Sequence, residues 1–187
     1  MIPERESTHP TRRRRAMAKF QDDPGTQAAS PVVLEMLRLD IGSKVALVGH
    51  PLHVMMVHFP VAFVVATLGI DVFYWWSGDE FWVRVGVWSS GFAFWSALAA
   101  SIVGTAELVL VRGIRLLEAS WSHAVAAMTL LAITGALWGE HLFKPELILP
   151  HGLALSALAS VMVGFAGWHG GKLVFDHGVG VLVAPKI

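Results

Sequence analysis

Four long apolar stretches, separated by short polar loops, dominate the hydrophobic pattern of the chain. They cover approximately residues 53–76, 81–111, 119–142 and 150–168. A helix needs roughly 20 predominantly apolar residues to cross the ~30 Å hydrocarbon core of a bilayer, and each stretch approaches or exceeds that length. The pattern therefore predicts an all-α fold, a transmembrane four-helix bundle. Because the loops are short, we expect antiparallel neighbours in up-down order.

The residues before the first apolar stretch have a different character. Residues 1–29 are polar and contain the basic run Arg12–Arg15, so we expect a disordered segment. Residues 30–40 predict a short amphipathic helix, since Ser30 can cap it, Pro31 suits its first turn and its apolar side chains gather on one face. We expect this helix to lie in the membrane interface.

These patterns divide the chain into two parts. Residues 1–48 form an N-terminal tail, and residues 49–187 form the four-helix transmembrane domain with a C-terminal tail. Gly170 and Gly171 are expected to end the fourth helix, because consecutive glycines favour helix termination.

Composition agrees with a membrane protein and excludes several chemistries. Apolar residues make up 55% of the chain and charged residues 15%, with a mean hydropathy of +0.59, whereas about a quarter of a typical soluble domain is charged. The absence of cysteine excludes disulfides, thiolate metal sites and cysteine nucleophiles. The formal net charge is zero, so no nucleic-acid partner is expected. Since neither a nucleotide-binding glycine loop nor a nucleophile–base pair stands out, a redox or accessory subunit is favoured over a stand-alone enzyme.

The distribution of positive charge predicts the orientation. Four passes put both termini and the second loop on one side of the membrane, called here the N-terminal side. Twelve Lys and Arg residues fall there, namely Arg5, Arg12, Arg13, Arg14, Arg15, Lys19, Arg38, Lys44, Arg112, Arg115, Lys172 and Lys186. Only Arg84 and Lys144 fall on the opposite side. Positive residues are enriched in cytoplasmic loops, so both termini are expected in the cytoplasm.

The nine histidines gather mainly at the N-terminal side. Those near it are His50, His53, His58, His123, His169 and His177, whereas His141 and His151 fall near the opposite side and His9 is in the tail. On the predicted helices, His58 and His123 each lie roughly 6–8 Å below the border, at 1.5 Å per residue. Because helices one and three are diagonal in an up-down bundle, we expect these two imidazoles to face each other across a central gap.

Histidines at this depth suggest a ligand site. Ionisable groups in hydrocarbon are costly and usually face the bundle interior, and neutral imidazole binds haem iron, zinc or copper. The leading prediction is therefore haem b held by His58 and His123, with His53 and His169 as further candidate ligands. Such a protein would be an electron-transfer subunit that exchanges electrons with quinone or a partner redox protein.

The surroundings of the pair offer the other parts of such a site. Gly104 and Ala127 leave room for a flat apolar slot. Arg112 and Arg115 in the second loop are candidates for the haem propionates. Glu107, about one turn inside the same border, is expected to hydrogen-bond a ligating imidazole or to relay protons.

Two other functions remain open from the residues alone. The first is a cofactor-free structural or assembly subunit of a larger membrane complex, in which the histidines form interhelical hydrogen bonds. The second is a metal-ion site or transporter built from His53, His58, His123 and His169. Near the opposite side, Asp71 is within reach of three potential partners, His141, His151 and Arg84. There a structural polar cluster is favoured over a second haem or a quinone site.

Two segments resemble the ends of a bacterial membrane family known as domain of unknown function 2231. They are GHPLHVMMVHFP at residues 49–60 and GGKLVFDHGVGV at residues 170–181. The resemblance implies four helices, with acidic residues late in the first two and a histidine early in the third; Asp71, Glu107 and His123 match these positions. Some relatives are fused to a Rieske-type domain, which implies a redox setting. The resemblance places the protein in a bacterial membrane, and with the predicted cytoplasmic termini we expect the bacterial inner membrane and lipid contact. A haem near one side would act with other membrane subunits as partners, and any iron–sulfur protein would be a separate chain.

Overall fold

The computed structural model describes residues 41–181, and in that part of the chain four long helices pack side by side in up-down order. In chain order the α-helices are α1 (Leu52–Met56), α2 (His58–Ser77), α3 (Glu80–Leu110), α4 (Arg112–Arg115), α5 (Glu118–Phe143) and α6 (Leu153–Phe175). A 3-10 helix (Pro145–Leu147) and a π-helical segment (Ile148–Gly152) lie between α5 and α6. A short antiparallel pair, β1 (Ala46–Leu47) and β2 (His50–Pro51), precedes α1. The predicted four-helix bundle is confirmed. The predicted disordered segment and interfacial helix, residues 1–40, lie outside the described residues.

Each membrane-spanning helix packs against two others. The contacts run from α2 to α3, from α3 to α5, from α5 to α6 and from α6 back to α2, which closes a ring of four. Many large apolar side chains on the outside of the bundle are exposed. Trp88 is 70% exposed and Trp168 is 69% exposed. All four spans are long and apolar enough to cross a membrane, and these exposed apolar faces fit a protein that spans a membrane.

The first span is divided near its N-terminal end. α1 ends at Met56, Val57 forms a turn, and α2 begins at His58. Pro60 accounts for this break, because it has no N–H to donate to the Met56 carbonyl and its ring crowds that carbonyl. The break falls between His53 on α1 and His58 on α2.

The C-terminal end of the bundle differs from the prediction. Gly170 and Gly171 do not end the fourth helix, which continues as α6 to Phe175. Gly170 serves close packing instead, since a Cβ there would lie 3.1 Å from Cε1 of His123. Tertiary packing overrides the weak tendency of glycine to leave a helix.

An apolar layer crosses the middle of the bundle. All four long helices contribute to it, with Val64 from α2, Ala93 from α3, Leu130 from α5 and Ala159 and Val163 from α6. Val64, Ala93 and Ala159 are completely buried. This layer separates a histidine-lined cavity at one end of the bundle from a buried acid–histidine pair at the other.

Candidate functional site

A cavity of about 390 Å³ lies at the end of the bundle where the chain enters α1. It is called here the histidine cavity, and all four long helices line it. Leu130 and Val163 of the central apolar layer form its floor. Most of its lining is apolar or small, including Ala100, Gly104 and Ala127. Ligand pockets commonly measure about 300–1,000 Å³, so the cavity is large enough for a small ligand.

Two imidazoles meet in this cavity, those of His53 on α1 and His123 on α5. Their ring centroids are 6.2 Å apart and their planes are inclined by 73°. His53 therefore takes the position opposite His123 that the sequence had suggested for His58. The first and third membrane spans thus bring two histidines together across the bundle, as their diagonal arrangement predicts.

His58 occupies a different position at the edge of the cavity. It is exposed, and its Nδ1 lies 3.2 Å from the carbonyl oxygen of Met55 in the preceding turn. The five-residue separation from His53 explains the difference, because it corresponds to roughly 140° of rotation around a helix at 3.6 residues per turn. If His53 faces the interior, His58 is directed away from it.

Backbone carbonyls fix the protonation of both interior imidazoles. Nδ1 of His53 lies 2.9 Å from the Ala100 oxygen on α3, and Nδ1 of His123 lies 3.1 Å from the Ala166 oxygen on α6. A carbonyl only accepts hydrogen bonds, so each Nδ1 carries the proton and donates it. In a neutral imidazole this leaves a lone pair on Nε2. Within residues 41–181 neither Nε2 atom has a hydrogen-bond partner.

Two glycines leave the space that the imidazole rings occupy. A Cβ at Gly104 would lie 2.7 Å from Cε1 of His53, and one at Gly170 would lie 3.1 Å from Cε1 of His123. The 2.7 Å distance at Gly104 is shorter than real Cβ atoms show. The imidazole of His53 therefore occupies the space that a side chain at residue 104 would need. Each histidine is thus held by a carbonyl and a glycine of a neighbouring helix.

Glu107 lines the cavity but does not bond an imidazole. Its carboxylate accepts hydrogen bonds from the Ser43 hydroxyl and from the backbone N–H groups of Val45, at 2.6 Å, and Lys44, at 3.3 Å. The predicted alternative of proton relay stays a prediction, whereas among the described residues no hydrogen bond joins Glu107 to a histidine. The reason is that the segment before β1 supplies donors that the helical pattern alone did not reveal.

The remaining candidate residues lie outside the cavity lining. Arg112 and Arg115 are exposed on α4. The His169 ring packs edge-on against Phe165, with ring centroids 4.6 Å apart. Across residues 41–181, no three His, Asp or Glu side chains come together in a way that could hold a metal ion, and His53, His58, His123 and His169 are not gathered into one cluster there.

A second polar pair lies beyond the apolar layer, near the opposite side. His141 Nε2 lies 2.9 Å from Asp71 Oδ1, and both residues are 1% exposed. His141 Nδ1 lies 2.9 Å from the Leu137 carbonyl oxygen, and the ring packs against Gly86. Of the three partners considered for Asp71, His141 is the one it meets. The pair joins α2 to α5 inside the bundle.

Sequence reasoning missed the groups that position the imidazoles. The carbonyls of Ala100 and Ala166 have no residue-specific signal, because every residue carries one. The contribution of Ser43 and Val45 was also missed, since they precede the apolar stretches. The one signal in the sequence was the presence of Gly104 and Gly170, because glycine lets a neighbouring side chain come close to the helix backbone.

Comparison with known proteins now identifies the family. A family profile described as predicted membrane protein (DUF2231) matches residues 49–182. No curated protein and no solved structure matches the chain. The matched region includes all four long helices, both cavity histidines and the Asp71–His141 pair. The chain therefore belongs to the DUF2231 family of predicted membrane proteins, as its two end motifs indicate.

Proposed function

We propose that this chain is a membrane electron-transfer subunit that binds one haem b between His53 and His123. The observation that carries the proposal is the pair of imidazoles across the histidine cavity, each with its Nδ1 proton held by a carbonyl. This arrangement leaves both Nε2 lone pairs available for a metal. When bound, haem supplies a one-electron redox centre.

The spacing of the rings supports this ligand pair. Since a metal–imidazole bond measures about 2.0–2.1 Å, two imidazoles that held one metal ion through their Nε2 atoms would have ring centroids roughly 6 Å apart. The observed separation is 6.2 Å. The apolar, small-residue lining of the cavity suits a flat hydrophobic macrocycle.

The position of the cavity suggests how electrons would be exchanged. It lies in one half of the bundle, above the apolar layer formed by Val64, Leu130 and the neighbouring side chains. One centre there cannot carry electrons across the whole bilayer. We therefore infer exchange with a membrane quinone or with a redox partner at the N-terminal side, which the positive-inside rule assigns to the cytoplasmic face of the bacterial inner membrane.

An absorbance spectrum tests the proposal. The chain, produced with haem available and purified in detergent, should show a Soret shift and an α-band in its reduced-minus-oxidised spectrum. His123→Ala should lose them, whereas His50→Ala should keep them because His50 is exposed and bonded to the Val48 carbonyl. A featureless difference spectrum for the native chain would overturn the proposal.

A cofactor-free structural subunit is the second candidate. It is favoured by the observation that His53, His123 and His141 each join two helices through a hydrogen bond. Polar bonds between helices stabilise membrane bundles by themselves. This alternative predicts no haem or metal in the purified protein, a lower unfolding temperature on replacement of each histidine, and co-purification with other membrane subunits.

A further inference from the structure

A short segment before β1 packs beside the histidine cavity, and its Ser43 side is part of the lining. It is called here the strap and comprises residues 41–45. Ile41 is 2% exposed and packs in an apolar cluster with Val111 and Ile114. Ser43 is 3% exposed and lines the cavity. The strap is thus packed as part of the bundle.

Glu107 in the last turn of α3 holds the strap. This residue is 8% exposed, and the donors to its carboxylate come from three consecutive strap residues, Ser43, Lys44 and Val45. The Lys44 ammonium adds a contact of 3.1 Å to the Leu110 carbonyl oxygen at the end of α3, where a positive charge is favoured by the helix dipole. The strap is therefore hydrogen-bonded to α3 at two places, the Glu107 carboxylate and the Leu110 carbonyl oxygen.

The strap is also connected to His53. The Val45 carbonyl accepts a hydrogen bond of 3.0 Å from the Leu52 N–H, and β1 pairs with β2 between them. His53 follows Leu52 directly, and its ring packs on Gly104, one turn before Glu107 on α3. Because residues one turn apart share a helix face, the same face of α3 holds both the strap and the imidazole.

We propose that Glu107 is a positioning residue that latches the strap to α3 and thereby fixes His53 inside the histidine cavity. The family match begins at residue 49, so the donors that engage this carboxylate come from outside the matched region. The latch itself depends only on the contacts around Glu107. Its effect on a bound cofactor rests on the function proposed above.

Proteolysis of the detergent-solubilised full chain tests the latch without any cofactor. Trypsin cleavage after Lys44 requires the strap to leave α3, and mass spectrometry identifies the fragment that begins at Val45. Glu107→Leu should raise the cleavage rate about tenfold or more, since it removes several hydrogen bonds to a charged group. Glu107→Gln should raise the rate much less than Glu107→Leu, because its amide oxygen can still accept from Ser43 and Val45, although its NH2 group cannot accept from the Lys44 N–H.

Two further variants keep this test decisive. Glu118→Leu is the matched control, an exposed glutamate at the same end of the bundle, and should leave the rate unchanged. Ser43→Ala removes a single donor and should raise cleavage by a few fold, which provides a reading if Glu107→Leu fails to fold. A native rate in both Glu107→Leu and Ser43→Ala would overturn the latch. Equal acceleration in Glu107→Gln and Glu107→Leu would also overturn it.

The effect on His53 is tested in haem-loaded protein. Glu107→Leu should shift the low-spin electron paramagnetic resonance signal or the midpoint potential, and Glu107→Gln should restore the native value. Unchanged spectra in Glu107→Leu would contradict the positioning role. If strap cleavage responds as expected but no variant binds haem, the latch stands and the proposed electron-transfer function fails. If haem binds but cleavage never responds, the latch alone fails.

Discussion

His141 and Asp71 form a buried pair, with 2.9 Å between Nε2 of the imidazole and Oδ1 of the carboxyl group. The Leu137 carbonyl requires a proton on Nδ1 of His141. A hydrogen bond between Nε2 and Oδ1 then needs exactly one more proton, on either the imidazole or the carboxyl. In both arrangements the pair as a whole is neutral, which suits its position inside a membrane-spanning bundle.

Breaking this pair is expected to destabilise the bundle. Asp71→Ala leaves His141 Nε2 buried without a partner, and we expect a loss of about 1–3 kcal/mol in the free energy of unfolding. His141→Ala should cost a similar amount. The double variant should cost less than the sum, with a coupling of at least about 1 kcal/mol. Unfolding in mixed detergent measures all three, and strict additivity would show that the contact contributes nothing.

The glycine beneath His53 should not tolerate a methyl group. Gly104→Ala would place a Cβ 2.7 Å from the His53 ring, and overpacking of this kind costs about 1–3 kcal/mol. Gly69→Ala is the matched control, since a Cβ there has nothing within 4 Å; it should be neutral or stabilising by up to about 1 kcal/mol. Thermal unfolding of both variants checks this. Equal unfolding temperatures would contradict the close approach of His53 to α3.

Two adjacent valines on α2 allow the energy of core packing to be compared with that of contact outside the bundle. Val64 is completely buried in the central layer and Val65 is 53% exposed. Since lipid is as apolar as the bundle core, burial itself gains little, and the cost of truncation is lost packing. We expect Val64→Ala to cost about 1–2 kcal/mol and Val65→Ala less than about 0.5 kcal/mol. The reverse order would show that α2 is rotated about its axis.

The orientation in the membrane can be read with single cysteines, because the chain has none of its own. Arg112→Cys and Lys144→Cys lie at exposed positions on opposite ends of the bundle. A membrane-impermeant maleimide applied to intact spheroplasts should label Lys144→Cys alone, because positive charge favours the cytoplasm for the N-terminal side. After permeabilisation both should react. Labelling of only Arg112→Cys in intact spheroplasts would reverse the assigned orientation.

The sequence predicted the architecture well because hydrophobic length is a strong signal in membrane proteins. The spans expected at residues 81–111 and 119–142 differ by one residue at each end from α3 and α5. Polarity also indicated that Asp71 would find a partner near the opposite side, and His141 is that partner.

The site was predicted less completely, because depth along a helix does not determine the direction of a side chain. His58 matched His123 in depth, but the five-residue spacing puts His53 and His58 on different faces, and His53 is the one that lies opposite His123. Glu107 was found as a buried acid, but its partners are backbone groups of Lys44 and Val45. Hydrophobic pattern carries no information about such contacts.

The most direct test of the proposed function is the haem content of His53→Ala compared with His58→Ala. Both variants remove one histidine from the same span, and only His53 contacts His123. We predict that His53→Ala purifies with little or no haem and no α-band, while His58→Ala keeps the native haem-to-protein ratio and spectrum. Native haem content in His53→Ala, or loss of haem in His58→Ala alone, would contradict the assignment of His53 and His123 as the ligand pair.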